Sequence, residues 1–271
     1  MTIPPHSHRI GDSYPEMSLT GTNSTFQDSH HPTPFEDARM PALPSESFAT
    51  RLIRRSGTHW HAYTHHRFVC GLASGELPMA CFRHYLVQDY LFLVHFSRAW
   101  ALAAFKAGEI EEIRACATVM HGLIHDEMRL HVDYCHQFGL SENEMAATPE
   151  EPANMAYTRF VMERGLSGDL LDLLTALAPC VVGYGDIGQR LARDPATRRD
   201  GNPYSAWITM YSGDEYGGIV EASVNQLDRV AGMRLGAVDD AHPRMAGLQA
   251  TFDAATRLEI GFWDMAMQPF E

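Results

Sequence analysis

Residues 79–107, MACFRHYLVQDYLFLVHFSRAWALAAFKA, constrain the fold more than any other stretch of the chain. They hold good helix formers and no internal Gly or Pro, so propensity predicts one long helix. Its apolar positions are too dense for a helix with one side in water. Such a helix must be covered by others, and the rest of the chain supplies them.

ESFATRLIRRSGTHWHAYTH reads as a first helix, broken near Gly57. GELP is a turn, with Pro78 tolerated in the first turn of the long helix. GEIEEIRACATVMHGLIHDEMRLHVDYCHQFG carries one further helix, and NMAYTRFVMERGL a shorter one ending near Gly165. DLLDLLTALAPCVVGYGDIGQRLA, SAWITMYSGDEYGGIVEASVNQLDRVAG and PRMAGLQATFDAATRLEIGFWDMAM complete the series. No strand-type alternation or tandem repeat interrupts it. The expectation is one all-α domain over residues 46–271, of seven or more helices, large enough to enclose a pocket. Residues 1–45, rich in Pro, Ser, His and Thr without periodicity, read as a flexible arm.

A formal net charge of −13 with no Lys/Arg run argues against broad contact with nucleic acid. No stretch reads as long and apolar enough to span a bilayer, and the N-terminus lacks a secretion-signal pattern, so no membrane partner and a cytoplasmic location are expected. The cysteines at 70, 81, 116, 135 and 180 form no CxxC pair and do not suggest a disulfide scaffold.

Three polar residues stand in apolar surroundings. Asp89, in HYLVQDYLFLVHF, shares a helical face with Tyr85 and Phe92. Buried there it needs partners, either a neighbouring helix or a ligand with several donors. Cys180 and Tyr184, in LAPCVVGYGDIG, lie one turn apart. The cysteine is either a small buried hydrophobe or a nucleophile whose base must come from another helix. Glu259, in LEIGFWDMAM beside Phe262 and Trp263, is either an exposed face residue or a desolvated acid and base. HGLIHDEMRLH places His121 four residues before His125, and Glu127 four before His131, but contains neither HExxH nor ExxH. No metal or cofactor is expected, and Glu127 and His131 read as braces for helices or a pocket wall. The glycines of YSGDEYGG suit close helix approach rather than phosphate binding, with Trp207 and Tyr211 on one face.

Taken in order, LVQDYLFLVHF, HDEMRLH, LAPCVVGYGDIG, WITMYSGDEY and LEIGFWDMAM resemble the TenA family (thiaminase II, aminopyrimidine aminohydrolase) over roughly residues 50–269. The resemblance implies a haem oxygenase-like all-α bundle that works without haem or metal, as a homo-oligomer, tetramer or dimer. It implies hydrolysis of 4-amino-5-aminomethyl-2-methylpyrimidine, and of thiamin itself, to the 5-hydroxymethyl compound for thiamin salvage. Matched position by position, Cys180 is the nucleophile, Asp89 the pyrimidine-binding carboxylate and Glu259 the acid and base. Tyr157, Tyr184, Tyr211 and Phe262 line the pocket. Phe92 stands where the cysteine-containing branch commonly has a tyrosine, so one hydroxyl is missing. Two other readings follow from the same chain: a relative acting on another amino-heterocycle or as an oxidase, suggested by Phe92, His121 and His125, and a non-catalytic pyrimidine-binding or regulatory protein.

Overall fold

The computed structural model describes residues 47–236 and 241–269. The arm expected over residues 1–45 lies outside the described residues. The helices are α1 (Phe48–Ser56), α2 (Thr58–Thr64), α3 (Arg67–Ser74), α4 (Met79–Lys106), α5 (Ile110–Gly122), α6 (Met128–Gln137), α7 (Glu142–Ala147), α8 (Pro152–Ser167), α9 (Leu170–Arg193), α10 (Ser205–Ser212), α11 (Asp214–Leu235) and α12 (Met245–Ala266). A π turn, Leu123–Glu127, joins α5 to α6. Among the described residues there is no strand, as the sequence predicts for an all-α protein.

The long apolar stretch is α4, covered by α5, α6, α8 and α12. Its buried residues, among them Phe82, Tyr85, Asp89, Phe92, Phe96 and Trp100, lie on more than one face. Pro78 caps its N-terminus, where a missing N–H costs nothing. Gly57 separates α1 from α2 at φ +49°, a conformation that a side chain would disfavour.

Helix α9 is the axis of the second half of the protein and packs against α8, α10, α11 and α12. By length and composition it would cross a bilayer, contrary to the sequence reading. Its apolarity has another cause: 89% of its most apolar window is buried inside the bundle. Asp169 starts it, accepting the Leu171 and Asp172 amides at 2.9 and 3.2 Å, and Arg244 from the start of α12 grips the same carboxylate twice at 2.9 Å.

Three local expectations are corrected. The segment from Gly108 to Gly139 is not one helix: the π turn inserts a wider loop of backbone at Leu123–Glu127. Helix α8 runs through Gly165 to Ser167, because Gly165 is a contact point: a Cβ there would meet Leu102 at 2.8 Å and Leu173 at 3.0 Å. In YSGDEYGG, Gly213 does not pack helices together; extended at ψ 162°, it divides α10 from α11. Gly218 faces open space. The glycines that do bring helices close are in α9. A Cβ at Gly183 would meet the Tyr63 ring at 2.2 Å, and one at Gly188 the Tyr211 backbone at 2.4 Å.

Candidate active site

Six elements send polar side chains into one buried region. Asp89 comes from α4, Glu127 from the π turn, His131 from α6, Tyr157 from α8, Cys180 from α9 and Glu259 from α12. All six are buried. The apolar stripes that seal these helices together carry them inward, so each must find a partner inside.

The hydrogen bonds divide into three linked parts. His131 Nε2 lies 2.6 Å from Asp89 Oδ2, and its Nδ1 lies 2.7 Å from the Glu127 backbone carbonyl. That carbonyl can only accept, so Nδ1 carries a proton, and Nε2 is the ring nitrogen that faces the Asp89 carboxyl. Burial opposes the charged ring, but the Asp89 hydrogen bond and charge, helped by Glu127, hold His131 above the usual imidazole value. The π turn sets the second part. It ends at Glu127, whose carboxylate accepts the hydroxyl of Tyr211. Burial, together with the negative charge of Asp89, pushes Glu127 up to about 7, against the pull of His131 and Tyr211.

In the third part, the Tyr157 hydroxyl donates to Glu259 Oε1 at 2.8 Å. Burial pushes Glu259 up to about 8; the charges of Asp89 and Glu127 add to this, and Tyr157 works against it. Cys180 shares this field. Burial first, then Glu259, Glu127 and Asp89, raise its thiol well above the ordinary value. The sulfur is therefore a protonated thiol whose nearest charges are carboxylates, and a nucleophilic role requires a base to take its proton.

Rings enclose these groups. Phe92 lies 5.0 Å from Tyr157 and 5.6 Å from Phe262, centroid to centroid. Tyr184 sits 4.9 Å from Tyr211 and 5.4 Å from Trp263. Trp207 Nε1 donates to the Tyr85 hydroxyl at 3.2 Å, and Tyr85 lies 5.8 Å from His131. A cavity of about 300 Å³ borders Glu127 and Tyr216, with Asp126, Asp214 and Glu215 also lining it; Asp89, Cys180 and Glu259 are not among its lining residues. Around Asp89, Cys180 and Glu259 the surroundings are apolar and aromatic, with a few convergent polar groups.

Cys180, Asp89 and Glu259 are thus brought into one electrostatic neighbourhood, along with Phe92, Tyr157, Tyr184, Tyr211 and Phe262. Asp89 makes the helix-to-helix hydrogen bond that the sequence offered as one alternative, and it makes it to His131. Glu127 and His131 serve as braces. His121 and His125 lie with ring centroids 4.4 Å apart, tilted by 42°, and both are exposed, unlike these buried groups. Among the described residues no cluster of three or more His, Cys, Asp or Glu side chains is arranged to hold a metal ion. Sequence reasoning missed Tyr63 and Tyr216, both buried and both sensing Cys180 and Glu259. The signal for Tyr63 was Gly183, whose missing side chain makes room for that ring.

The described residues form an all-α bundle around a buried thiol, three buried carboxylates and a set of aromatic rings. The profile of the TENA/THI-4/PQQC family matches residues 54–269, and the chain belongs to that family. An aminopyrimidine aminohydrolase of Halalkalibacterium halodurans is 32% identical over 81% of this chain and 95% of its own. A putative hydroxymethylpyrimidine/phosphomethylpyrimidine kinase 2 of Schizosaccharomyces pombe is 34% identical over 76% of this chain, which spans 36% of that protein. Among solved structures, a TenA family transcription regulator from Silicibacter sp. TM1040 is 44% identical with a TM-score of 0.78, over 87% of this chain and 99% of its own. The fold is the helical haem oxygenase-like bundle of the TenA proteins.

Proposed function

We propose that the protein is an aminopyrimidine aminohydrolase of thiamin salvage, converting 4-amino-5-aminomethyl-2-methylpyrimidine to the 5-hydroxymethyl compound and cleaving thiamin at the same methylene. One observation carries the reading: Cys180, Asp89 and Glu259, from three separate helices, share one buried field inside an aromatic cage. The name of the Halalkalibacterium relative supports the reaction. The yeast relative joins a similar segment to a protein named for a kinase of the hydroxymethyl product.

Asp89, oriented by His131, binds the amino and ring-nitrogen edge of the pyrimidine. Phe92, Tyr157, Tyr184, Tyr211 and Phe262 hold the ring flat and keep bulk water out. As the thiol proton passes to Glu259, the Cys180 sulfur bonds to the ring carbon adjacent to the one bearing the methylene. The displaced electron pair breaks the exocyclic C–N bond; with the aminomethylpyrimidine the nitrogen leaves as ammonia with the proton from Glu259, whereas the thiazolium of thiamin leaves as neutral thiazole and Glu259 releases that proton to solvent. Water then adds to the methylene and yields a proton to Glu259. The C–S bond breaks, aromaticity returns and the sulfur regains its proton. A carboxyl held at about 8 can both receive and return a proton near neutrality. The same reading carries a homo-oligomer, tetramer or dimer, and a cytoplasmic location.

Ammonia release from the aminomethylpyrimidine, run beside thiamin cleavage on wild type and Cys180→Ser, tests this. Turnover should fall by roughly 10³-fold or more in the variant while pyrimidine binding stays near wild type. Turnover unchanged by the substitution would remove the nucleophile; wild type inert on both compounds would remove the reaction.

A further inference from the structure

Tyr63 has no place in the chemistry above, yet its ring is fully buried and closely packed. Its side chain, fully buried on α2, is pressed into the notch that Gly183 leaves in α9, three residues after Cys180. Trp60 meets its edge at 5.6 Å and Trp263 stacks against it at 6.2 Å. The ring has no room to turn elsewhere. Its hydroxyl nevertheless satisfies hydrogen-bond geometry with no described residue. A buried hydroxyl left in that state destabilises the fold, and a phenylalanine would fill the same notch without that cost.

The ring lies at the Glu259 turn of α12: Trp263, which stacks on it, is four residues after Glu259 on that helix. The hydroxyl draws down the pKa of Glu259, and burial, then Glu259 and Cys180, hold its own pKa well above the usual phenol value. It therefore stays protonated and is a donor standing beside an acceptor that is neutral for part of its working range. Tyr157 from α8 already donates to Oε1 of that carboxyl.

We propose that Tyr63 is a positioning residue for Glu259, a second phenolic donor, fixed in place, that the ionised carboxylate can use beside Tyr157. The idea rests on the catalytic reading of Glu259, and it assigns to the carboxyl a donor on each of two helices, α8 and α2. Other groups acting on Glu259 are Asp89 from α4 and Glu127 from the π turn; Cys180 from α9 and Tyr216 from α11 share its field. Each of these adds negative charge or senses it, whereas Tyr63 and Tyr157 are the two that favour the ionised form.

Tyr63→Phe removes the hydroxyl and keeps the ring in the Gly183 notch. The carboxyl stretch of Glu259, isolated by infrared difference against Glu259→Gln, reports its protonation across pH without any turnover. Glu259 should become about a tenfold weaker acid in Tyr63→Phe, and weaker again when Tyr157→Phe is added. The acid limb of the kcat/KM profile should move the same way, with kcat reduced about tenfold and KM little changed. A Glu259 titration identical in wild type and Tyr63→Phe overturns the proposal. Because the infrared titration needs no substrate, this outcome is separate from failure of the aminohydrolase reading, which the wild-type ammonia assay decides.

Discussion

Two sets of carboxylates lie along helix α9 and are driven in opposite directions. At its N-terminus Asp169 is partly buried, and burial alone would raise its pKa, but the Arg244 hydrogen bonds and the amides of the first turn prevail and hold it at about 2. Around Cys180, in the middle of the same helix, Glu127 sits at about 7 and Glu259 at about 8. There the cation is a histidine, and Asp89 is bonded to it. Burial is common to both places. A guanidinium with good geometry turns one carboxylate into a helix cap, and the want of a second such partner leaves the other two able to trade protons near neutrality.

The largest test of that contrast is on rate. Glu259→Gln keeps the shape and a hydrogen-bonding group for Tyr157 but cannot carry a proton. Hydrolysis of the aminomethylpyrimidine should fall by roughly 10²–10⁴-fold, with KM changed far less. A loss confined to KM, measured by initial rates over a substrate series, would make Glu259 a binding group only. Asp89→Asn should act the other way. It removes the charge that pairs with His131 and meets the pyrimidine, so ligand affinity measured by calorimetry should weaken by roughly 10–100-fold.

The same contrast predicts how stability depends on pH. Glu259 and Glu127 have folded pKa values raised above the unfolded value of about 4.3, so the native state holds protons that the unfolded chain has lost. Their effect is nil below the unfolded pKa and grows into a penalty as pH rises from there through about 7 and 8. Relative to wild type, Glu259→Gln should therefore gain stability between pH 5 and pH 8.5, by about 1–3 kcal/mol in urea denaturation. An equal difference at both values would mean that Glu259 is ionised throughout.

The parts of this arrangement that sequence discloses are those that depend on one helix at a time. The density of apolar residues in α4 required burial on all sides, and Asp89 among them already needed a partner. Cys180 and Glu259 stood out because a thiol and a carboxylate were embedded in apolar segments. What stayed hidden depends on distance between helices. That His131 rather than some other group meets Asp89 follows from the π turn, which shifts the register of α6, and Leu123–Glu127 carries no residue pattern that separates a π turn from an α turn. Gly183 resembled any helix glycine until Tyr63 was found filling its notch. The apolarity of α9 pointed neither way, since a core helix and a membrane span share it.

The smallest effect belongs to the cap. Arg244→Met takes the guanidinium from Asp169 and Asp172 while keeping an apolar stem at the start of α12. Because the folded pKa of Asp169 lies below the unfolded one, its contribution is fully present above about pH 4 and is lost as pH falls toward 2. The variant should accordingly be less stable than wild type at pH 6, and the gap should narrow steadily as pH falls toward 2. Both partners are about a third exposed, at 33% and 35%, so solvent screening keeps the difference near 1 kcal/mol. Turnover should be untouched, because the cap acts on where α9 begins and the chemistry on what its middle presents. If Arg244→Met instead moved the pH–rate profile, the two ends of the contrast would be electrostatically joined along α9, and the protonation state of Glu259 would depend on the cap as well as on its own neighbours.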